Sequence, residues 1–126
     1  MEKEFFELFN TQNANFSAKI CECDGGKVIV FLIESYVYKG QGPYYLIKDD
    51  IEKYIAELTH MSKTLCGECC INDTESTNSI TVFFKGRELF VKGSVGDYGQ
   101  HLLTFEFLVD QTILLPLSNV LHQLIR

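Results

Sequence analysis

Hydrophobic positions along this chain follow two rhythms, and each change of rhythm marks an element. Residues 17–23 alternate, and residues 27–38 contain the apolar run Val28-Ile29-Val30-Phe31-Leu32-Ile33. Between them Asp24-Gly25-Gly26 reads as a turn, so the two runs predict a hairpin. Its second arm is apolar on both faces, as in a central strand. Gly40-Gln41-Gly42-Pro43 reads as a break before a short extended piece at 44–47. From residue 50 to 64 the period lengthens. Ile51, Tyr54, Ile55, Leu58, Met61 and Leu65 recur at threes and fours and form one buried helical stripe, while Asp49 and Glu52 have the spacing of a capping box. Beyond Gly67 the runs 69–73, 80–84, 88–92 and 102–109 alternate again. Their short connections predict an antiparallel meander, since parallel neighbours need long crossovers. In the last run Phe105, Phe107 and Val109 share one face and Thr104 and Glu106 the other. Leu117, Val120, Leu121, Leu124 and Ile125 then take helical spacing. Asp110 and Thr112 are short acceptors suited to a helix start, and Pro116 falls in the first turn, so this helix begins near Leu114. Residues 1–16, with Phe5, Phe6, Leu8 and Phe9, read either as one helical turn or as an added strand.

The pattern adds up to one α+β domain over residues 1–126: a predominantly antiparallel β-sheet, in one or two layers, with a middle helix and a C-terminal helix packed on it. A chain of 126 residues suffices for one self-supporting core. Ten Phe and six Tyr with no Trp favour strands. No apolar run approaches the length of a membrane span, and Met1-Glu2-Lys3-Glu4 lacks the order of a signal peptide, so the expected location is the cytoplasm. The net charge of −6 argues against a phosphate-backbone partner, because such binding rests on clustered Lys and Arg. The same charge would steer a basic protein partner, although it also serves plain solubility.

Candidate chemistry is sparse. The five cysteines fall as Cys21-x-Cys23 and Cys66-x-x-Cys69-Cys70, an odd set that disulfides cannot satisfy. A zinc-stabilised module is one reading, but Cys21 and Cys23 lack the gap of a zinc knuckle and lie on one face of an alternating run. Buried, reduced thiols without metal are the expectation. His60, His101 and His122 share no ligand spacing, and neither a nucleophile elbow nor a P-loop is present. Gly93-Ser94-Val95-Gly96-Asp97-Tyr98-Gly99 joins two strands and reads as a hairpin loop rather than a phosphate cradle. No catalytic residue and no cofactor are expected. What remains is surface: Tyr36, Tyr38, Tyr44, Tyr45 and Tyr98 near loops or strand ends, with the acids Glu34, Asp73, Glu75 and Asp97 close by. From these Glu34, Tyr36, Asp73, Glu75, Asp97 and Tyr98 are the candidate partner contacts, Tyr for broad contact and the acids for Arg or Lys.

Gly99-Gln100-His101, the alternating strand, Asp110-Gln111-Thr112, a short apolar step and a terminal helix together resemble the ending of the WapI-type immunity proteins, small bacterial antitoxins that accompany contact-delivered toxins. The likeness extends to Tyr38-Lys39-Gly40, the helix opening at Asp49 and Asp50 and the second block of strands, over about residues 17–126. It implies a protein that binds and neutralises a cognate toxin domain without being an enzyme. A basic nuclease is one such toxin. The competing reading is a small-molecule-binding or enzymatic α+β domain with a pocket between sheet and helices, which convergent His, Cys and acidic groups would favour.

Overall fold

The alternating runs pair as two antiparallel meanders, each followed by a helix. The structure, a computed structural model, describes residues 5–23, 25–96 and 101–126. The first sheet has the order β1 (Phe6–Asn10), β2 (Ala14–Cys23), β3 (Gly26–Ser35), β4 (Tyr38–Tyr44), and leads into α1 (Lys48–Thr64). The second has the order β5 (Glu68–Asn72), β6 (Ser79–Lys85), β7 (Glu88–Gly96), β8 (Leu102–Val109). A 3-10 turn, Gln111–Ile113, then carries the chain into α2 (Leu114–Leu124). The α+β architecture with two antiparallel layers is therefore as the periodicity implies. The N-terminal aromatic run takes the strand alternative.

Each helix lies against the sheet of the other half. Tyr54 of α1 reaches β5, where its hydroxyl accepts from the Asn72 N–H at 3.2 Å and its carbonyl faces the Cys69 Sγ at 3.8 Å. α2 packs on β2 and β3, and Lys27 at the start of β3 donates to the carbonyls of Gln123 and Arg126 at 3.2 Å each. The two helices also pack on one another, so both sheets and both helices share one hydrophobic core. Among the described residues no helix is long and apolar enough to cross a membrane.

Where the fold departs from the sequence reading, a local contact accounts for it. The run at 27–38 is broken: β3 stops at Ser35, the chain turns through Tyr36 and Val37, and β4 starts at Tyr38. Tyr36 adopts φ 58 without the glycine or asparagine that normally announces such a turn, and its N–H donates to the Asn13 carbonyl at 2.7 Å. Conversely, Gly40 to Pro43 are strand rather than break. A Cβ on Gly40 would lie 2.9 Å from the Leu103 Cβ, and one on Gly42 would lie 3.0 Å from the Gly96 nitrogen. These glycines let β4 approach the second sheet, and Pro43 is tolerated because β4 is an edge strand. The capping box does not form: Ile47 caps α1 without a side-chain bond, and Asp49 and Asp50 instead place negative charge in the first turn. Leu65 leaves the stripe because it is the left-handed C-cap, φ 55, and turns out to solvent. Before the other helix Asp110 Oδ1 accepts from the Thr112 N–H at 2.9 Å and so caps the 3-10 turn, while α2 itself starts at Leu114 from Ile113 without a side-chain cap. β7 runs on to Gly96, so Gly93 to Gly96 belong to a strand rather than a loop.

Leu58 and Leu121 are fully buried in the shared core. Truncating either to Ala should cost roughly 2–5 kcal/mol, because the lost transfer energy adds to an unfilled cavity. Chemical denaturation of Leu58→Ala and Leu121→Ala measures this directly. A loss below about 1 kcal/mol in both variants would contradict the packing described here.

Candidate functional site

β4 separates the predicted contact residues into two groups. At its start stands the hairpin tip, where Tyr36, Val37 and Tyr38 are all exposed, Val37 to 89%. Glu34 is half-buried on β3 and opposite Lys39 in register. At the other end, six residue steps or about 20 Å along the strand, are Tyr44 and Tyr45. Asp73 and Glu75 are gathered there too, on the β5–β6 connection. Asp97 and Tyr98 lie outside the described residues, as do Gly99 and Gln100 of the terminal motif.

Asp73 is a scaffold group rather than an exposed contact. It is buried, and both carboxylate oxygens are engaged: Oδ1 accepts from the Tyr45 N–H at 2.9 Å and the Glu75 N–H at 3.2 Å, and Oδ2 from the Ser76 hydroxyl at 2.6 Å. Thr74 completes the link, its N–H and hydroxyl both donating to the Tyr45 carbonyl at 2.9 Å. A second polar chain lies beneath. The Tyr44 hydroxyl donates to the Ser94 carbonyl at 2.5 Å, Ser94 Oγ donates to Asn78 Oδ1 at 2.7 Å, and Asn78 Nδ2 donates to the Gly96 carbonyl at 2.8 Å. Tyr44 is fully buried, whereas Tyr45 faces solvent. Burial first, then the neighbouring Asp73 carboxylate, push the Tyr44 phenol far above its ordinary value.

The surface over this scaffold combines apolar and acidic groups. Tyr45 and Ile47 are exposed, Ile47 to 56%, and exposed Glu75 lies two residues after Asp73. α1 begins with Lys48 directly after Ile47, and exposed Asp49 and Glu52 follow within its first five residues. Seven of the seventeen acids but only three of the eleven bases fall between residues 45 and 75, so most of the chain's excess negative charge is in this stretch. The sequence marks Asp49 and Glu52 as a capping box rather than as partner contacts, and Ile47 only as the end of an extended piece. An apolar residue directly before an acidic helix start was the available signal.

Catalytic constellations do not assemble. His60, His101 and His122 are all exposed and sit on different elements, and among the described residues no three His, Cys, Asp or Glu side chains converge on a metal-sized site. The cysteines correct the expectation of uniformly buried thiols: Cys69 is buried, Cys21 and Cys70 are half-buried and Cys66 is exposed. Burial, followed by Glu57, pushes the Cys69 thiol up, which keeps it protonated and inert. A groove of about 430 Å³ separates β1 and β2 from α2, lined by Phe6, Ala18, Ile20, Pro116 and Val120 with Lys19, Asn119 and Gln123 as its polar groups. It therefore offers apolar contact without an acid-base pair. No family model, curated protein or solved structure matches the chain.

The Tyr44 phenol should couple stability to alkaline pH. Its folded pKa is raised above the unfolded value near 10, so its contribution is intact below about pH 10 and declines as pH rises further and the unfolded chain ionises first. Tyr44→Phe should lose about 1 kcal/mol at neutral pH, through the missing hydrogen bond, and show a flatter decline above pH 10. Denaturation midpoints of both proteins between neutral and strongly alkaline pH test this. An unchanged alkaline slope would count against Tyr44 as the responsible group.

Proposed function

We propose that this chain is an immunity-type protein that binds one cognate, contact-delivered toxin domain and holds it inactive without chemistry of its own. The observation that carries this reading is the surface around Tyr45, Ile47 and Glu75. It combines exposed apolar anchors with acids on a backbone fixed by the buried Asp73 network. Such a surface suits a preformed protein contact, because little ordering cost is left for the binding step. The resemblance of the ending, His101 through Arg126 with the lead-in before it, supplies the class of partner.

The chemistry of the surface then defines the mode of action. Tyr45 and Ile47 would be buried against the toxin, while Glu75, Asp49 and Glu52 would meet Arg or Lys around that contact. A basic nuclease fits this description, since it needs cationic side chains to hold its own substrate. Covering those side chains would block substrate access and raise the association rate through complementary fields. The cytoplasm, where an incoming nuclease would act, is the corresponding place of work.

The test is co-expression with the toxin domain encoded beside this chain, followed by size-exclusion chromatography of the pair. Protection and a one-to-one complex are expected. Glu75→Lys should weaken binding roughly tenfold, about 1.4 kcal/mol, without lowering the melting temperature, and the difference should shrink as salt rises. Asp73→Ala should instead lose about 1–3 kcal/mol of folding stability, because buried donors lose their acceptor. Unprotected cells together with the absence of any complex would reject the toxin-binding reading.

A further inference from the structure

The ladder between β7 and β8 runs without a slip from Leu89↔Val109 to Gly96↔Leu102. Among the described residues the far side of β8 pairs with no strand, and no backbone hydrogen bond outside its own ladder reaches it. The other sheet ends are guarded. β1 has five residues and a register shift between Glu7 and Phe9. β4 carries Pro43 and backs closely onto the β7–β8 end, and the five-residue β5 is held at Asn72 by Tyr54 of α1. Short length, bulges, proline and lysine are the usual protections of an edge strand. β8 has none of them: eight residues, regular register, and Glu106 as its one charge. Its solvent face also displays Leu102, 38% exposed, and Leu108, 48% exposed.

We propose that β8 pairs antiparallel with β8 of a second copy of this chain, joining two four-stranded sheets into one of eight strands. The strand fits itself in one register. About a twofold axis through Phe105, Leu102 stands opposite Leu108 of the other copy, Leu103 opposite Phe107, and Thr104 opposite Glu106. Every pair lies on a common face, as the period of two requires. The exposed leucines cover one another, and the strand's only charge meets a hydroxyl. Centring the axis on Glu106 would set two carboxylates face to face and move Leu102 opposite Asp110, so this slip is disfavoured on both counts. A second copy is favoured over an unrelated strand because each side chain is met by one that suits it.

Sedimentation equilibrium of the purified chain, from micromolar to millimolar concentration, tests the pairing. A dimer is expected, and it should tighten with added salt because two chains of net charge −6 repel. Leu108→Lys, at a half-exposed position, should give a monomer with an unchanged melting temperature. Thr104→Glu sets a second carboxylate opposite Glu106, twice per dimer by symmetry, and should weaken association roughly tenfold. Adding Glu106→Lys to that variant should restore it, since opposite charges then face each other. A chain monomeric throughout the range would overturn the proposal. So would a dimer indifferent to Leu108→Lys and Thr104→Glu. A monomer whose residues 102–109 become protected from amide exchange only in complex with another protein would assign the edge to that partner instead.

Discussion

The close approach of β4 to the second sheet is the constraint on which the remaining architecture depends. Gly40 lies against the side chains of Leu103 and Val95 and Gly42 against the backbone of Gly96, so the seam is closed by strand contacts that leave little room for a side chain on β4. In an interior packed at crystal-like density, an added methyl group at either position would have to displace Leu103 or the Gly96 backbone. With the sheets fixed at one side, the rest of the space between them is filled by rings and helices. Phe31 meets Tyr44 edge-on at 5.1 Å and stacks on Phe16 at 5.8 Å, and Phe9 stacks on Phe107 at 6.3 Å between the two sheets. The helices α1 and α2 complete the core against the opposite halves.

That seam also fixes the surface above it. The Tyr44 side chain extends into the junction and donates to the Ser94 carbonyl, while the next residue, Tyr45, is held through its own N–H and carbonyl by Asp73 and Thr74. One buried aromatic and one buried carboxylate thus position an exposed tyrosine and the loop bearing Glu75. The acidic residues divide by role. Asp73 is buried with its oxygens satisfied and belongs to folding, whereas Glu75 remains in water and is free for a partner. For the proposed function this division matters, because contact residues are useful only when the backbone beneath them is already in place.

Most elements were legible because burial here follows period. The stripe Ile51, Tyr54, Leu58 and Met61 is buried as spaced, and α2 begins at Leu114 as the Asp110 acceptor and Pro116 imply. The misreadings share one cause: the same residue type serves two purposes that sequence alone does not separate. Glycine marks a turn when it supplies positive φ but a close contact when it supplies space, and Gly40 and Gly42 are of the second kind. Tyr36 occupies a turn without any turn residue, because a tertiary bond to Asn13 stabilises a backbone that local preference disfavours. Asp73 reads as a solvated loop acid until the connection to Tyr45, twenty-eight residues away, is seen. The candidate surface was legible only by residue type; its division between the two ends of β4 depends on long-range pairing.

The exchange of helices between halves links these observations. A four-stranded antiparallel meander has one apolar face that its own following helix normally covers. Here the cover is reciprocal, so neither sheet-plus-helix unit retains its core if the other opens. Local unfolding of α2 would uncover β2 and β3 of the first sheet, and loss of α1 would uncover β5 of the second. Cooperative unfolding of the two halves follows from this arrangement. The outward side of β8 takes no part in this mutual cover among the described residues, unlike β5, which α1 holds at Asn72. Contacts made there with another chain would therefore add to the fold without disturbing its core, and the proposed pairing at β8 and the proposed toxin contact over β4 would not compete for the same residues.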